Sequence, residues 1–292
     1  MNWTLSAFAD EAGEATADQL RALARAGIDH IDPRNIDGTN IAELPVDQAR
    51  EVKARYDEAG VRVNMFGSPL GKIDIADDMA IDLAKIEHLG RLADVFDCRA
   101  VRVFSYYNRD GAAEHEWRAE SLKRLNQLLD LADTLDLVLY HENEKHIFGD
   151  PVRRVVVLRD EVHRKRGDRF KMIFDFDNYN QTGEYVWAAW RELRDSTEAI
   201  HLKESSRQED GSFQHVPVGT GDGRVPEVLA DLAQRGWAGP LTLEPHLAHS
   251  AAVMATGPSG QANQALADLD PADCFQVAAE AAAKLLRDVE RR

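Results

Sequence analysis

Four short apolar runs in this chain end in groups able to hold a cation or move a proton. They read Tyr140-His141-Glu142-Asn143-Glu144, Ile173-Phe174-Asp175-Phe176-Asp177-Asn178, Ile200-His201-Leu202-Lys203-Glu204 and Leu241-Thr242-Leu243-Glu244-Pro245-His246. A carboxylate inside an apolar strand is costly unless it is paired, hydrogen-bonded or bound to a metal. Three carboxylates also repel one another, and a shared divalent cation is the simplest device that keeps them ionised together. Glu142, Asp175, His201 and Glu244 offer three hard oxygens and one imidazole. That set suits one divalent metal ion, Mn²⁺ foremost, with Mg²⁺, Co²⁺ or Zn²⁺ as alternatives, and is unlike a thiolate-rich structural zinc site. The bland alternative is four salt-bridged or solvent-facing strand ends. Asp177 shares strand parity with Asp175, which leaves that ligand open between the two, whereas His141 points opposite to Glu142 and reads as a packed histidine.

The elements that must position these groups recur along the whole chain. Apolar, β-branched-rich runs at 4–9, 30–32, 61–66, 100–105, 137–142, 171–176, 200–203 and 240–244 read as strands. Amphipathic stretches with helical spacing lie between them, notably at 15–26, 79–96, 122–135 and 225–232. Gly27, Gly60 and Gly236 stand where helices should end in the left-handed conformation. Eight strands alternating with helices imply parallel pairing, since each crossover needs a helix. No GxGxxG follows the first strand, which removes the best support for a dinucleotide-binding open sheet. The expected fold is therefore α/β, a single (β/α)8 TIM barrel over residues 1–292 with no interdomain linker. A long loop at about 247–270 follows strand eight and reads as a lid, an oligomer contact or a short helix. In such barrels the reacting groups sit at the C-terminal strand ends, where all four runs deliver theirs.

Composition narrows the partners. Lys plus Arg is 35 against 51 for Asp plus Glu, a formal charge of −16 that disfavours nucleic acid. No apolar stretch approaches the roughly 20 residues that span a bilayer, and the first residues lack a signal-peptide pattern, so a cytoplasmic protein with no membrane partner is expected. Cys98 and Cys274 lie far apart and read as reduced thiols. The run Gly219-Thr220-Gly221-Asp222-Gly223 lacks the ending of a Walker loop and reads as a flexible turn. The basic run 163–166 with Arg169 reads as a solvated face on the rim opposite the active mouth.

At Tyr140-His141-Glu142-Asn143, Asp175-Phe176-Asp177-Asn178, His201-Leu202-Lys203-Glu204 and Leu243-Glu244-Pro245 the chain resembles the xylose isomerase-like TIM barrels, the sugar isomerase/epimerase superfamily. The resemblance extends over essentially the whole length. It implies that Glu142, Asp175, His201 and Glu244 hold one divalent metal and that Glu142 and Glu244 flank a sugar and move its proton. It also implies a sugar contact for Arg207, six residues beyond His201, and association into a dimer or tetramer. Many members carry a histidine three residues after the strand-six aspartate, where this chain has Asn178. An amide can hydrogen-bond a hydroxyl but carries no proton near neutral pH, so this departure bears on reaction type more than on the metal.

The implied chemistry is proton abstraction next to a metal-bound carbonyl, through an enediolate. Return of the proton to the other face is epimerisation, and return to the neighbouring carbon is aldose–ketose isomerisation. Expulsion of a β-substituent makes the protein a lyase or dehydratase acting on a keto-sugar or 3-keto-glycoside. Lys203 and Arg207, beside the metal strand, are candidates to bind the sugar or sugar derivative, together with Asn178, Arg34, His146 and His246. Asp10, Glu11, Lys72, Tyr106 and Tyr107 stand at other strand ends. A non-catalytic sugar-binding barrel is a remote alternative. The phosphodiester-cleaving branch of the same barrel wants a richer histidine set and a basic face, and strand two here ends in Arg34.

Overall fold

The computed structural model describes residues 2–258 and 260–291. Eight parallel strands form a closed barrel: β1 (Thr4–Ala7), β2 (His30–Ile31), β3 (Arg62–Val63, resuming as Phe66–Leu70), β4 (Ala100–Val103), β5 (Val138–Glu142), β6 (Phe170–Asp175), β7 (Ala199–Leu202) and β8 (Pro240–Leu243). From β3 round to β8 and back to β1 the neighbours pair in one continuous parallel sheet, with Thr4 opposite Pro240. Closure on the remaining side rests on fewer bonds. Asp32 N–H donates to the Ala7 carbonyl, His30 and Ile31 pair with Arg62 and Val63, and Asn64 N–H donates to the Ile31 carbonyl. The expected α/β barrel is thus the observed architecture.

Helices wrap the strands because each buries one apolar stripe. In α1 (Thr16–Ala26) that stripe includes Ala22 and Leu23, and Gly27 closes the helix at φ 67°. In α2 (Val46–Ala59) it includes Val52 and Tyr56, closed by Gly60 at φ 69°. In α3 (Ala80–Phe96) Ile86, Leu89, Leu92 and Phe96 are all buried. A left-handed cap costs glycine nothing, which is why both short helices stop there. β7 is buried at all four positions, as a strand covered on both faces should be.

Inside the barrel, Asp32 joins strands that share few ladder bonds. Its carboxylate accepts from Ser6 Oγ (2.7 Å), Asn64 Nδ2 (2.8 Å) and Thr242 Oγ1 (2.7 Å). Burial raises its pKa, and the three donors partly offset that penalty.

Several expectations shift by a few residues. The strand expected over 61–66 runs on: residues 66–70 pair with β4, with a register shift between Phe66 and Leu70. The segment after β8 is not one loop but holds a short helix, Ala251–Ala255, and a 3-10 turn, Gln264–Leu266, before the last helix, Pro271–Glu290. Gln261 then adds beside a hairpin of Ser205–Arg207 and Phe213–His215, exchanging backbone hydrogen bonds with Phe213 and His215. The basic run is an ion-paired surface, with Arg166 on Asp130 and Arg169 on Asp136. Residues 219–223 are a pinned loop, not a flexible turn. The Glu204 carboxylate accepts from the backbone N–H groups of Gly219 (2.6 Å), Thr220 (3.2 Å) and Gly223 (3.0 Å). A side chain at 221 would come within 2.7 Å of Glu204 Cγ and of the Ser205 carbonyl, so glycine is required there by close approach. Cys98 and Cys274 are free and buried, and no helix of the described residues is long and apolar enough to cross a membrane.

Candidate functional site

Consecutive strands β5 to β8 bring their last side chains to one point. Glu142 ends β5, Asp175 ends β6, His201 lies one residue before the end of β7, and Glu244 directly follows β8. One ligand atom from each lies within 4.8 Å of the others, and all four residues are buried. His201 Nδ1 faces three oxygens: Glu142 Oε1 at 3.0 Å, Glu244 Oε2 at 3.3 Å and Asp175 Oδ2 at 4.0 Å. Of the two aspartates sharing strand parity, Asp175 is the one brought to the cluster. Asp177 turns away in the following helix, Phe176–Gln181, where it accepts from Ser205 Oγ and stands 3.3 Å from His215 Nδ1. His141 is packed as expected, buried and hydrogen-bonded to Ser105 Oγ.

The residues fit a divalent cation. Asp175 Oδ2 and Glu244 Oε2 are buried and accept no hydrogen bond. Oxygens left so are costly unless a charge meets them. The donor set, three carboxylates and one imidazole, suits Mn²⁺, Mg²⁺ or Zn²⁺.

Opposite this acidic group the barrel presents cations. Arg102, inside β4, places Nη1 3.1 Å from Glu142 Oε2. Arg34, just past β2, places Nη1 3.1 Å from Glu244 Oε1 and grips Asp10 through Nε and Nη2. Both guanidinium groups lie over the Phe8 ring, at 4.9 and 4.8 Å, and Phe8 meets His201 edge-on. Lys203 Nζ stands 3.1 Å from Asp175 Oδ2 and 3.5 Å from Glu244 Oε2.

These placements set the charges. Burial opposes ionisation of Glu142, yet His201 and Arg102 outweigh it and hold the carboxyl below its usual range. For Glu244 burial is likewise overcome, by Lys203, His201 and His246, and its pKa falls further. Asp175 goes the other way: burial and the charges of the two glutamates raise it against the pull of Lys203. Burial alone would strip His201 of its proton, but Glu142 and Glu244 push it up to about 10. Glu11, beneath the mouth, is raised to about 8 by burial, and His246 is lowered to about 3 by the same cause.

The other anticipated contacts divide. Asn178 is buried beside the cluster, with Nδ2 on the Asn143 carbonyl at 2.8 Å and 3.5 Å from Glu142 Oε1. His246 is buried between Glu11 Oε1 (3.4 Å) and Glu244 Oε1 (3.5 Å). Lys203 and Arg34 are in the cluster itself. Arg207 and His146 are not brought to it: both are exposed, Arg207 on the hairpin after β7 and His146 in the loop after β5. Lys72 pairs with Glu144 at 3.0 Å. Arg102, Phe8 and His215 were missed by sequence reasoning. Arg102 had a usable signal, since a charge inside Ala100-Val101-Arg102-Val103 violates the same burial rule that flagged the carboxylates.

Above the cluster lies a cavity of about 20 Å³, bordered by Asn178, Lys203, His215, His246 and residues 256–258. A roomier surface groove of about 500 Å³, between Arg21, Arg25 and Pro271, belongs to the helical layer and holds none of this chemistry.

The family pattern described as Xylose isomerase-like TIM barrel matches residues 20–271. The chain belongs to that family. No curated relative matches the sequence. Among solved structures, this family member is similar to the probable 3-DHS dehydratase AsbF of petrobactin synthesis from Bacillus anthracis, at 16% identity over 97% of this chain and 99% of that one, TM-score 0.71. It is similar to a D-psicose 3-epimerase determined in the presence of D-fructose, at 14% identity over 97% and 99%, TM-score 0.71. It is also similar to the 3-keto-D-glucoside 4-epimerase YcjR from E. coli, at 17% identity over 98% of both chains, TM-score 0.66. At these identities the likeness establishes the shared barrel.

Proposed function

We propose that this barrel is a divalent-metal-dependent enzyme that removes a proton from the carbon beside a sugar carbonyl, as an epimerase or isomerase. One observation carries the reading: four ligand-type groups from four consecutive strands converge within 4.8 Å at the end of the barrel where such enzymes act. Glu142, Asp175, His201 and Glu244 would hold the metal. When bound, a divalent cation polarises a ketone and stabilises the oxyanion left by loss of the neighbouring proton.

The chain's own groups supply the remainder. Glu142 and Glu244 enter from β5 and β8, on opposite flanks of His201, so one can take a proton from one face of a carbon and the other return it to the opposite face. Arg102 and Arg34 grip the far oxygen of each glutamate and fix its orientation. Asn178 offers an amide and Lys203 an ammonium to substrate hydroxyls at the mouth. The similarity to epimerases acting on psicose and a keto-glucoside supports a ketose or keto-sugar substrate, and that to a dehydratase supports elimination as the second outcome. Both share the first step.

The test is incubation of Mn²⁺-loaded protein with ketohexoses and with 3-keto-glucosides in deuterium oxide. Solvent deuterium at the carbon next to the carbonyl, with all substituents retained, is expected. A released alcohol or water with a new enone assigns the lyase route instead. Absence of exchange into every substrate, with metal bound, overturns the carbon-acid reading.

A further inference from the structure

The cations around the site do not all touch it in the same way. Three carboxylate oxygens face His201 Nδ1: Glu142 Oε1, Glu244 Oε2 and Asp175 Oδ2. The guanidinium groups hold the opposite oxygens, Arg102 on Glu142 Oε2 and Arg34 on Glu244 Oε1. Apart from His201 itself, only Lys203 among the cationic side chains described around the cluster stands on the inward side, 3.1 Å from Asp175 Oδ2 and 3.5 Å from Glu244 Oε2. Those are the two cluster oxygens that accept no hydrogen bond, so the ammonium is close without being aligned to either. It is also buried, in the strand end that carries His201, and borders the mouth cavity with Glu144.

We propose that Lys203 is an internal counter-cation of the metal-free site, which metal entry displaces toward the mouth. The proposal rests on reading the four residues as metal ligands. A divalent ion held by the inward oxygens and an ammonium on two of the same oxygens are like charges in a poorly screened setting, and each weakens the other. The guanidinium groups, on the outer oxygens, do not compete for the same positions. A displaced ammonium stays neutralised, because Glu144 borders the cavity into which it moves. Lys203 thus links two events: filling of the metal site, and presentation of a positive charge to an oxygen of the substrate.

Titration calorimetry with Mn²⁺ alone tests this on the intact chain. Lys203→Met is expected to bind Mn²⁺ at least about tenfold tighter than the parent, because a like charge has been removed. Its metal-free form is expected to melt at a lower temperature, since Asp175 then lacks its nearest cation. Lys203→Arg keeps the charge and is expected to stay within about threefold of the parent affinity. Lys203→Gln serves in place of the methionine variant if that one does not fold. Equal or weaker Mn²⁺ binding by the uncharged variant overturns the counter-cation role while leaving the metal reading in place. No Mn²⁺ binding by any of the proteins, the parent included, overturns both.

Discussion

The two halves of the barrel mouth carry opposite chemistry. Strands β5 to β8 present Glu142, Asp175, His201 and Glu244, whereas the β1 to β4 half presents Arg34 and Arg102, both over the ring of Phe8. The acidic half lies wholly within the continuous ladder, which also takes in β1, β4 and Phe66–Leu70, whereas on the basic side β2 and Arg62–Val63 stand outside it and are tied in partly through Asp32. The contrast teaches how three carboxylates can be packed so closely before any metal arrives. Arginines across the mouth neutralise the outer oxygens of the two glutamates, the Asn178 backbone N–H holds that of Asp175, and the inner oxygens are left facing a common centre.

That division can be broken from either side. The largest effect is expected from the acidic half: Glu244→Gln should lower turnover by about 10³-fold or more while the fold survives, checked by steady-state rates beside circular dichroism. Stripping metal with a chelator should abolish activity in the parent and Mn²⁺ should restore it. Full activity in excess EDTA breaks the comparison outright. From the basic half, Arg102→Met should cost about 3–5 kcal/mol of stability in the metal-free protein, because it leaves a buried glutamate without its partner. Urea denaturation measures it, and a loss under about 1 kcal/mol would show that the halves do not depend on each other.

Smaller effects sharpen the boundary. Arg207 lies outside both halves, so Arg207→Ala should change kcat/KM by no more than about twofold, in line with surface substitutions worth about 0.5 kcal/mol. A large rise in KM would bring the hairpin into the site. Smallest is a chemical probe of the barrel wall near the basic half. Burial pushes the Cys98 thiol up to about 12, so at pH 8.5 it should resist alkylation until the chain unfolds. Mass spectrometry of native and denatured samples decides this.

The acidic half was legible in the sequence because each of its groups closes an apolar run, so periodicity and the cost of buried charge point to the same residue. Asp175 against Asp177 could not be separated by parity, since the strand stops at Asp175 and a helical turn carries Asp177 elsewhere. The basic half was legible only in part. Arg34 follows a strand end and was found; Arg102 sits within a strand and was not, although its type was the clue. Phe8 and His215 gave no signal of their own, because ring stacking and a hairpin that folds back depend on residues distant in sequence. The expected strand 61–66 stops short because Gly67-Ser68-Pro69 interrupts the apolar run, and pairing with β4 carries the strand through it. The loop at 219–223 was read as mobile for its glycines, and a carboxylate fifteen to nineteen residues earlier holds it still.

The narrowness of the cavity over the cluster has a kinetic consequence. A space of about 20 Å³ admits roughly one water molecule. On the proposed sugar-processing reading, a six-carbon substrate needs more room than this beside Asn178 and Lys203, and Thr256, Gly257 and Pro258 form one side of the space that has to widen. Gln261 and Asn263, just beyond that stretch, are tied to the neighbouring hairpin by hydrogen bonds to Phe213 and His215. On the same reading, entry of reactant and release of product join bond-making as steps that can limit turnover.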